Sequence, residues 1–199
     1  MTKYLFFLIT LSFSINTHFF ETNQKFKEAY FASGCFWCVE SIYENLKGVV
    51  DVESGYSGGK TSNPTYYEVM TGKTGHAEAI KVIYDPEVIN FETLIKVFFG
   101  SHDPTTVNRQ GPDRGTQYRS IAFFETNNEK DIIEKEIQRL ISNNTYKKIT
   151  TEVLAFKKFY KAEDYHQDYK KNNPNDIYIL RISNPRISKF KMDFKEILK

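Results

Sequence analysis

The chain is short of sulfur. It has two cysteines in 199 residues, both in "GCFWCVE" (Gly34 to Glu40), together with its single tryptophan. Two cysteines are too few for a disulfide scaffold, so the fold must rest on a packed core. There is no excess of one charge: 27 basic side chains face 25 acidic ones, which leaves no electrostatic basis for a nucleic-acid partner. Lysine pairs such as Lys147-Lys148 and Lys157-Lys158 alternate with acids and read as solvated surface. Internal repeats and low-complexity runs are lacking too. A long apolar run is also missing: Tyr4 to Ile15 is too short to span a bilayer but suits the centre of a secretory signal. Residues 1–20 are therefore expected to be a signal and 21–26 a lead-in, with 27–199 one catalytic domain. The protein is then exported. No A-x-A cleavage site is present, so the alternatives are an uncleaved apolar N-terminus or a short anchor, and a cytoplasmic location.

With 40% hydrophobic and 16% aromatic residues, the chain has the material for a core. "KEAYFASG" reads as a strand ending in Gly34. Cys35 to about Lys47 has helical spacing, with Val39, Ile42 and Leu46 on one face. "VVDVESGYSGG" and "HAEAIKVIYDP" read as strands, separated by a loop with Asn63-Pro64. "NFETLIKVFFG" is an amphipathic helix behind an Asn90 cap, and "YRSIAFFE" a strand. A Thr126/Glu129 capping box opens a helix through Leu140, and "TEVLAF" is read as a last core strand. The order predicts an α+β, two-layer fold. Its core is a ferredoxin-like split β-α-β-β-α-β unit, with an additional C-terminal helix and strand or tail.

The chemistry points to Gly34–Glu40. Cys35 falls at a helix N-terminus, where unpaired backbone N–H groups and the helix dipole favour a thiolate. Cys38 lies one turn on, on the same side, within disulfide reach. Phe36 and Trp37 fall off the Val39–Ile42–Leu46 stripe, beside the nucleophile. Either they cup a small apolar group, or a neighbouring loop covers them as ordinary packing. Alternation along "HAEAIKVIY" puts Glu78 on the face of Ile80, Val82 and Tyr84, where a carboxyl has a raised pKa; the alternative is a strand-end Glu that reaches water or a lysine. "SHDPTTVNRQGPDRGTQY" is an aperiodic stretch of a length that usually carries function.

Taken together, "GCFWCVE", "SGYSGG", "NPTYYEV", "TGKTGHAEAIKVIYDP", "HDPTTVNRQGPDRGTQYRS" and "AEDYHQDY" resemble the peptide-methionine sulfoxide reductases of the A type, from about Lys27 to Gln167. The resemblance implies that Cys35 is the nucleophile and that Phe36 and Trp37 wall a methyl pocket. It implies that Tyr66, Glu78 and Tyr118 hold and protonate the sulfoxide oxygen, and that Asp113 is a further active-site carboxylate. The substrate is the S epimer of methionine sulfoxide, free or in proteins. The reductant is thioredoxin or another dithiol, and no metal or bound cofactor is needed. Many members carry resolving cysteines near the C-terminus. Here "ILRISNPRISKFKMDFKEILK" has none, so Cys38 is the resolver available within the chain and a Cys35–Cys38 disulfide is expected; the alternative is that Cys38 is a small buried hydrophobe. A monomer is expected.

Two rivals are weaker. A thioredoxin-like disulfide oxidoreductase fits Phe-Trp between the cysteines poorly. A zinc site completed by two of His76, His102 and His166 lacks a second C-x-x-C or an H-x₃₋₅-H. The histidines have plainer readings: His76 bonds backbone, His102 caps the Phe91–Gly100 helix, and His166 orders the C-terminal part.

Overall fold

Lys27–Ser33 (β1) lies in the middle of a six-stranded sheet because it is apolar on both sides. Ala29 and Phe31 enter the main core, while Tyr30 and Ala32 enter a smaller cluster on the opposite face. The structure is a computed structural model and describes residues 25–199; the expected signal and residues 21–24 of the lead-in lie outside the described residues. Among the described residues no helix is long and apolar enough to cross a membrane.

Phe36–Glu44 (α1) and Val49–Ser57 (β2) form as expected; a short helix not read from the sequence, Tyr66–Met70 (α2), precedes the expected Ala77–Tyr84 (β3) and Phe91–Gly100 (α3). A two-residue hairpin follows, Arg109–Gln110 (β4) with Asp113–Arg114 (β5), and then Ser120–Phe124 (β6), Asn127–Ser142 (α4) and Glu152–Ala155 (β7). The chain finishes through Phe159–Lys161 (β8), Tyr169–Asn172 (α5), a π turn at Ile179–Ser183 and Asn184–Asp193 (α6). The sheet order is β7-β6-β1-β3-β2-β8. The four strands of the expected β-α-β-β-α-β unit thus lie side by side as β6-β1-β3-β2, each antiparallel to its neighbour. The result is a mixed α/β fold with α1, α3 and α4 against one face of the sheet.

Local chemistry explains the boundaries. Asn90 Oδ1 accepts the Thr93 N–H at 2.9 Å, and Thr126 with Glu129 forms the reciprocal capping box read from the sequence. A second box, Thr65 with Glu68, starts α2 inside what reads as loop. β7 departs from expectation. It is a half-buried edge strand, parallel to β6, and not a core strand. Phe156, just beyond it, supplies the burial by stacking on Tyr30 at 3.7 Å. The tail is ordered rather than loose: Ile187 and Phe190 of α6 are buried in the main core, and Lys199 N–H donates to Asn45 O.

Candidate active site

The site begins where β1 ends. Gly34 turns the chain at φ +89°, and a Cβ there would lie 2.6 Å from the Cβ of Gln110, so only glycine admits both the turn and the β4–β5 hairpin against it. Cys35 follows as the N-cap residue of α1, without a side-chain cap. Part of the capping falls to Glu78. Its Oε2 accepts the Phe36 N–H at 3.0 Å, one of the donors that a helix start leaves unpaired. The alternation read in β3 holds, since Glu78 shares the core face with Ile80, Val82 and Tyr84. Glu78 is 2% exposed, and burial raises its carboxyl to about 8, against the Phe36 N–H, which lowers it.

The two thiols are free and hydrogen-bond each other. Here burial opposes what the helix start favours. Cys35 is 6% exposed, and burial, reinforced by the bond to Cys38, pushes its thiol well above its ordinary value. Cys38 is fully buried yet held at about 6, chiefly by the hydrogen bond from Cys35, with Arg186 and Ser183 adding to it against burial. Dipole favour at a helix start is outweighed when the sulfur is covered and a neighbouring sulfur has better partners. Within this pair, burial disfavours charge on Cys35, while Arg186 and Ser183 favour it on Cys38.

A hydroxyl from the far end of the chain does the covering. Tyr178 Oη donates to Asp113 Oδ2 at 2.5 Å and pulls the Cys35 thiol down against burial. Burial raises the Asp113 carboxyl, while the Tyr178 hydrogen bond and Arg186 pull it back. Tyr66 and Tyr118 converge from two other elements. Both phenols are raised first by burial and then by Glu78, with Cys35 also contributing; Tyr66 reaches about 12. Tyr66 heads α2, with its N–H on Glu163 Oε1, and Tyr118 ends the turn after the hairpin, with its hydroxyl 3.7 Å from Met70 Sδ.

Phe36, read as off the core stripe, is 1% exposed and belongs to the main core, near His166 and Tyr56, so the covered alternative holds for it. Residues 163–178 cover that flank. Trp37 is half-buried, stacked flat on Tyr169 at 3.6 Å, with its Nε1–H donating to His166 Nδ1 at 3.1 Å. The structure therefore brings Cys35, Cys38, Phe36, Trp37, Tyr66, Glu78, Asp113 and Tyr118 to one region.

A family model described as "Peptide methionine sulfoxide reductase" matches residues 27–197. The chain belongs to this family. The MsrA of Pasteurella multocida is 47% identical over 173 residues, covering 87% of this chain and 99% of that protein. Among solved structures, Mxr1 of Saccharomyces cerevisiae in reduced form superposes with a TM-score of 0.72 at 38% identity, over 76% of this chain and 88% of Mxr1. Mxr1 in complex with Trx2 matches with a TM-score of 0.52 at 29% identity, over 73% of this chain and 85% of Mxr1. The sequence resemblance is thus upheld, and the protein is an oxidoreductase of the A type.

Several groups around this reductase's thiols carry no sequence signal. Tyr178, Ser183 and Arg186 lie in a tail without a recognisable motif and meet Cys35 and Cys38 only through the fold. Glu163 ties the site together by accepting from Tyr56 Oη and Tyr66 N–H. The plain readings of two histidines hold: His76 bonds Gly59 N–H and Thr61 O, and His102 bonds Phe98 O at the end of α3 and Ser120 Oγ. His166 does more than order the C-terminal part, because it holds Trp37.

Proposed function

We propose that the chain reduces the S epimer of methionine sulfoxide, free or in proteins, and so repairs oxidised methionine. The observation that carries the reading is the neutral, buried Glu78 carboxyl held at the same helix start as Cys35. The substrate methyl rests against Phe36 and Trp37, and its sulfur faces Cys35. Tyr178 moves aside to admit it. The proton shared by the two thiols shifts to Cys38, and the Cys35 thiolate attacks the sulfoxide sulfur. Glu78 delivers a proton to the oxygen, which Tyr66 and Tyr118 hold by hydrogen bonds. Asp113, which holds Tyr178 in the free enzyme, is a further active-site carboxylate that loses this partner when Tyr178 moves.

The S–O bond of the substrate breaks and two electrons pass from Cys35 to the methionine sulfur. Methionine leaves, and Cys35 keeps the oxygen as a sulfenic acid. Cys38 then displaces that oxygen as water and forms a disulfide, which an external dithiol reduces by exchange. The complex of Mxr1 with Trx2 supports a thioredoxin as that dithiol. The chemistry needs neither a metal nor a bound cofactor. Export is proposed on the apolar run Tyr4–Ile15, and N-terminal sequencing of the mature protein tests it.

The functional test is epimer-resolved consumption of methionine sulfoxide with dithiothreitol as reductant. Wild type should consume the S form alone and Cys35→Ser nothing. Equal loss of both epimers, or activity without Cys35, contradicts the proposal.

A further inference from the structure

We propose that Ser183 readies Cys38 for the resolving step: its hydroxyl donates to the Cys38 sulfur and fixes that sulfur as the thiolate that attacks an oxidised Cys35. This rests on the reading of Cys38 as resolver and names what on this chain makes it one. Ser183 Oγ lies 3.0 Å from Cys38 Sγ, and both residues are fully buried. A serine late in a helical turn ordinarily returns its hydroxyl to a carbonyl of the preceding turn. Ser183 instead ends the π turn Ile179–Ser183, and its hydroxyl bonds the sulfur. An ionised sulfur can only accept, so the hydroxyl is then the donor.

The segment that carries Ser183 is pinned. Three residues on, Arg186 donates from Nε to Ser101 O at 2.8 Å and from Nη2 to Ser33 O at 3.0 Å, tying α6 to the ends of α3 and β1. The Arg186 charge also acts on Cys38 and favours the thiolate. The other ionisable groups acting on Cys38 are Cys35 across the pair, Asp113 on β5, Glu78 on β3 and Tyr178 before the π turn. A neutral Glu78 leaves Asp113 as the acid opposing Arg186.

In the step, a Cys38–Cys35 S–S bond forms and the Cys35 S–O bond breaks. The departing hydroxide takes one proton from solvent and leaves as water. The electrons were already transferred when methionine formed, so no further reductant is needed until the disulfide is recycled.

The test is a single turnover with one equivalent of methionine S-sulfoxide and no reductant. Methionine release, dimedone capture of the Cys35 sulfenic acid and the mass loss of disulfide closure are followed separately. In Ser183→Ala, methionine release should still reach one equivalent per chain. Disulfide closure should slow about tenfold, the scale of a hydrogen bond to a charged group, with dimedone capture rising to match. Closure in the variant should also speed up as pH rises, over a range where wild type is flat. Ser183→Thr, which keeps the hydroxyl, should close at the wild-type rate. Closure in Ser183→Ala at the wild-type rate and pH profile overturns the proposal, as does equal slowing in Ala and Thr, which would mark packing. If wild type releases methionine but never forms the Cys35–Cys38 disulfide, the resolver reading itself fails, and the proposal with it.

Discussion

Replacing Glu78 by Gln should weaken catalysis and strengthen the fold at once. The amide oxygen of Gln can still accept the Phe36 N–H, so the start of α1 keeps its partner. What is lost is the acid: the general-acid contribution is on the order of 10²–10⁴ in rate. The stability gain follows from linkage. Burial raises the carboxyl from an ordinary 4.5 to about 8, so the folded protein holds a proton that the unfolded chain has released. Stability at Glu78 is therefore intact below the unfolded value and declines as pH rises from there toward the folded one. At pH 7 the difference is about 3 kcal/mol and at pH 5 about 1 kcal/mol, from the two titration curves. Gln does not titrate, so Glu78→Gln should gain several degrees in Tm relative to wild type near pH 7, and the gain should shrink toward pH 5. Wild-type kcat should fall as pH rises through about 8, while the residual rate of the variant lacks that limb. The assay pairs dithiothreitol-driven turnover with thermal melts across pH. Retention of kcat within twofold, or a Tm gain independent of pH, refutes a neutral buried acid at this position.

Cys38→Ser should still release one equivalent of methionine per chain, more slowly because the acceptor of the Cys35 proton is gone, and lose thioredoxin-driven turnover, as quenched-flow and steady-state assays can separate. Gly34→Ala forces a side chain into a φ of +89° and against Gln110. It should cost about 1–3 kcal/mol in denaturant melts and lower activity by shifting the hairpin that bears Asp113. His166 holds the Trp37 indole as a neutral acceptor, and burial depresses its pKa. Stability tied to it should therefore fall as pH drops below the unfolded value near 6.5, and the emission of Trp37, the sole tryptophan, should shift with it.

Much of the framework was legible because its signals are local. Period-2 alternation placed Glu78 on the core face, Thr126 and Glu129 announced their helix, and Gly34 marked the strand-to-helix turn. Whether Phe36 is covered stayed open in the sequence because the residues that bury it, such as His166, lie about 130 positions away. The same distance hid Tyr178 and Ser183. The support that Ser183 and Arg186 give the Cys38 sulfur was also invisible, since both come from the tail. β8 and α2 were missed for another reason: three and five residues are too few to establish a period.

The most direct measurement is the yield of methionine per chain in a reductant-free reaction with excess S-sulfoxide, comparing wild type with Cys35→Ser. Cys35 as the sole source of two electrons predicts one methionine per wild-type chain and none from the variant. A methionine yield from Cys35→Ser equal to that of wild type would contradict it.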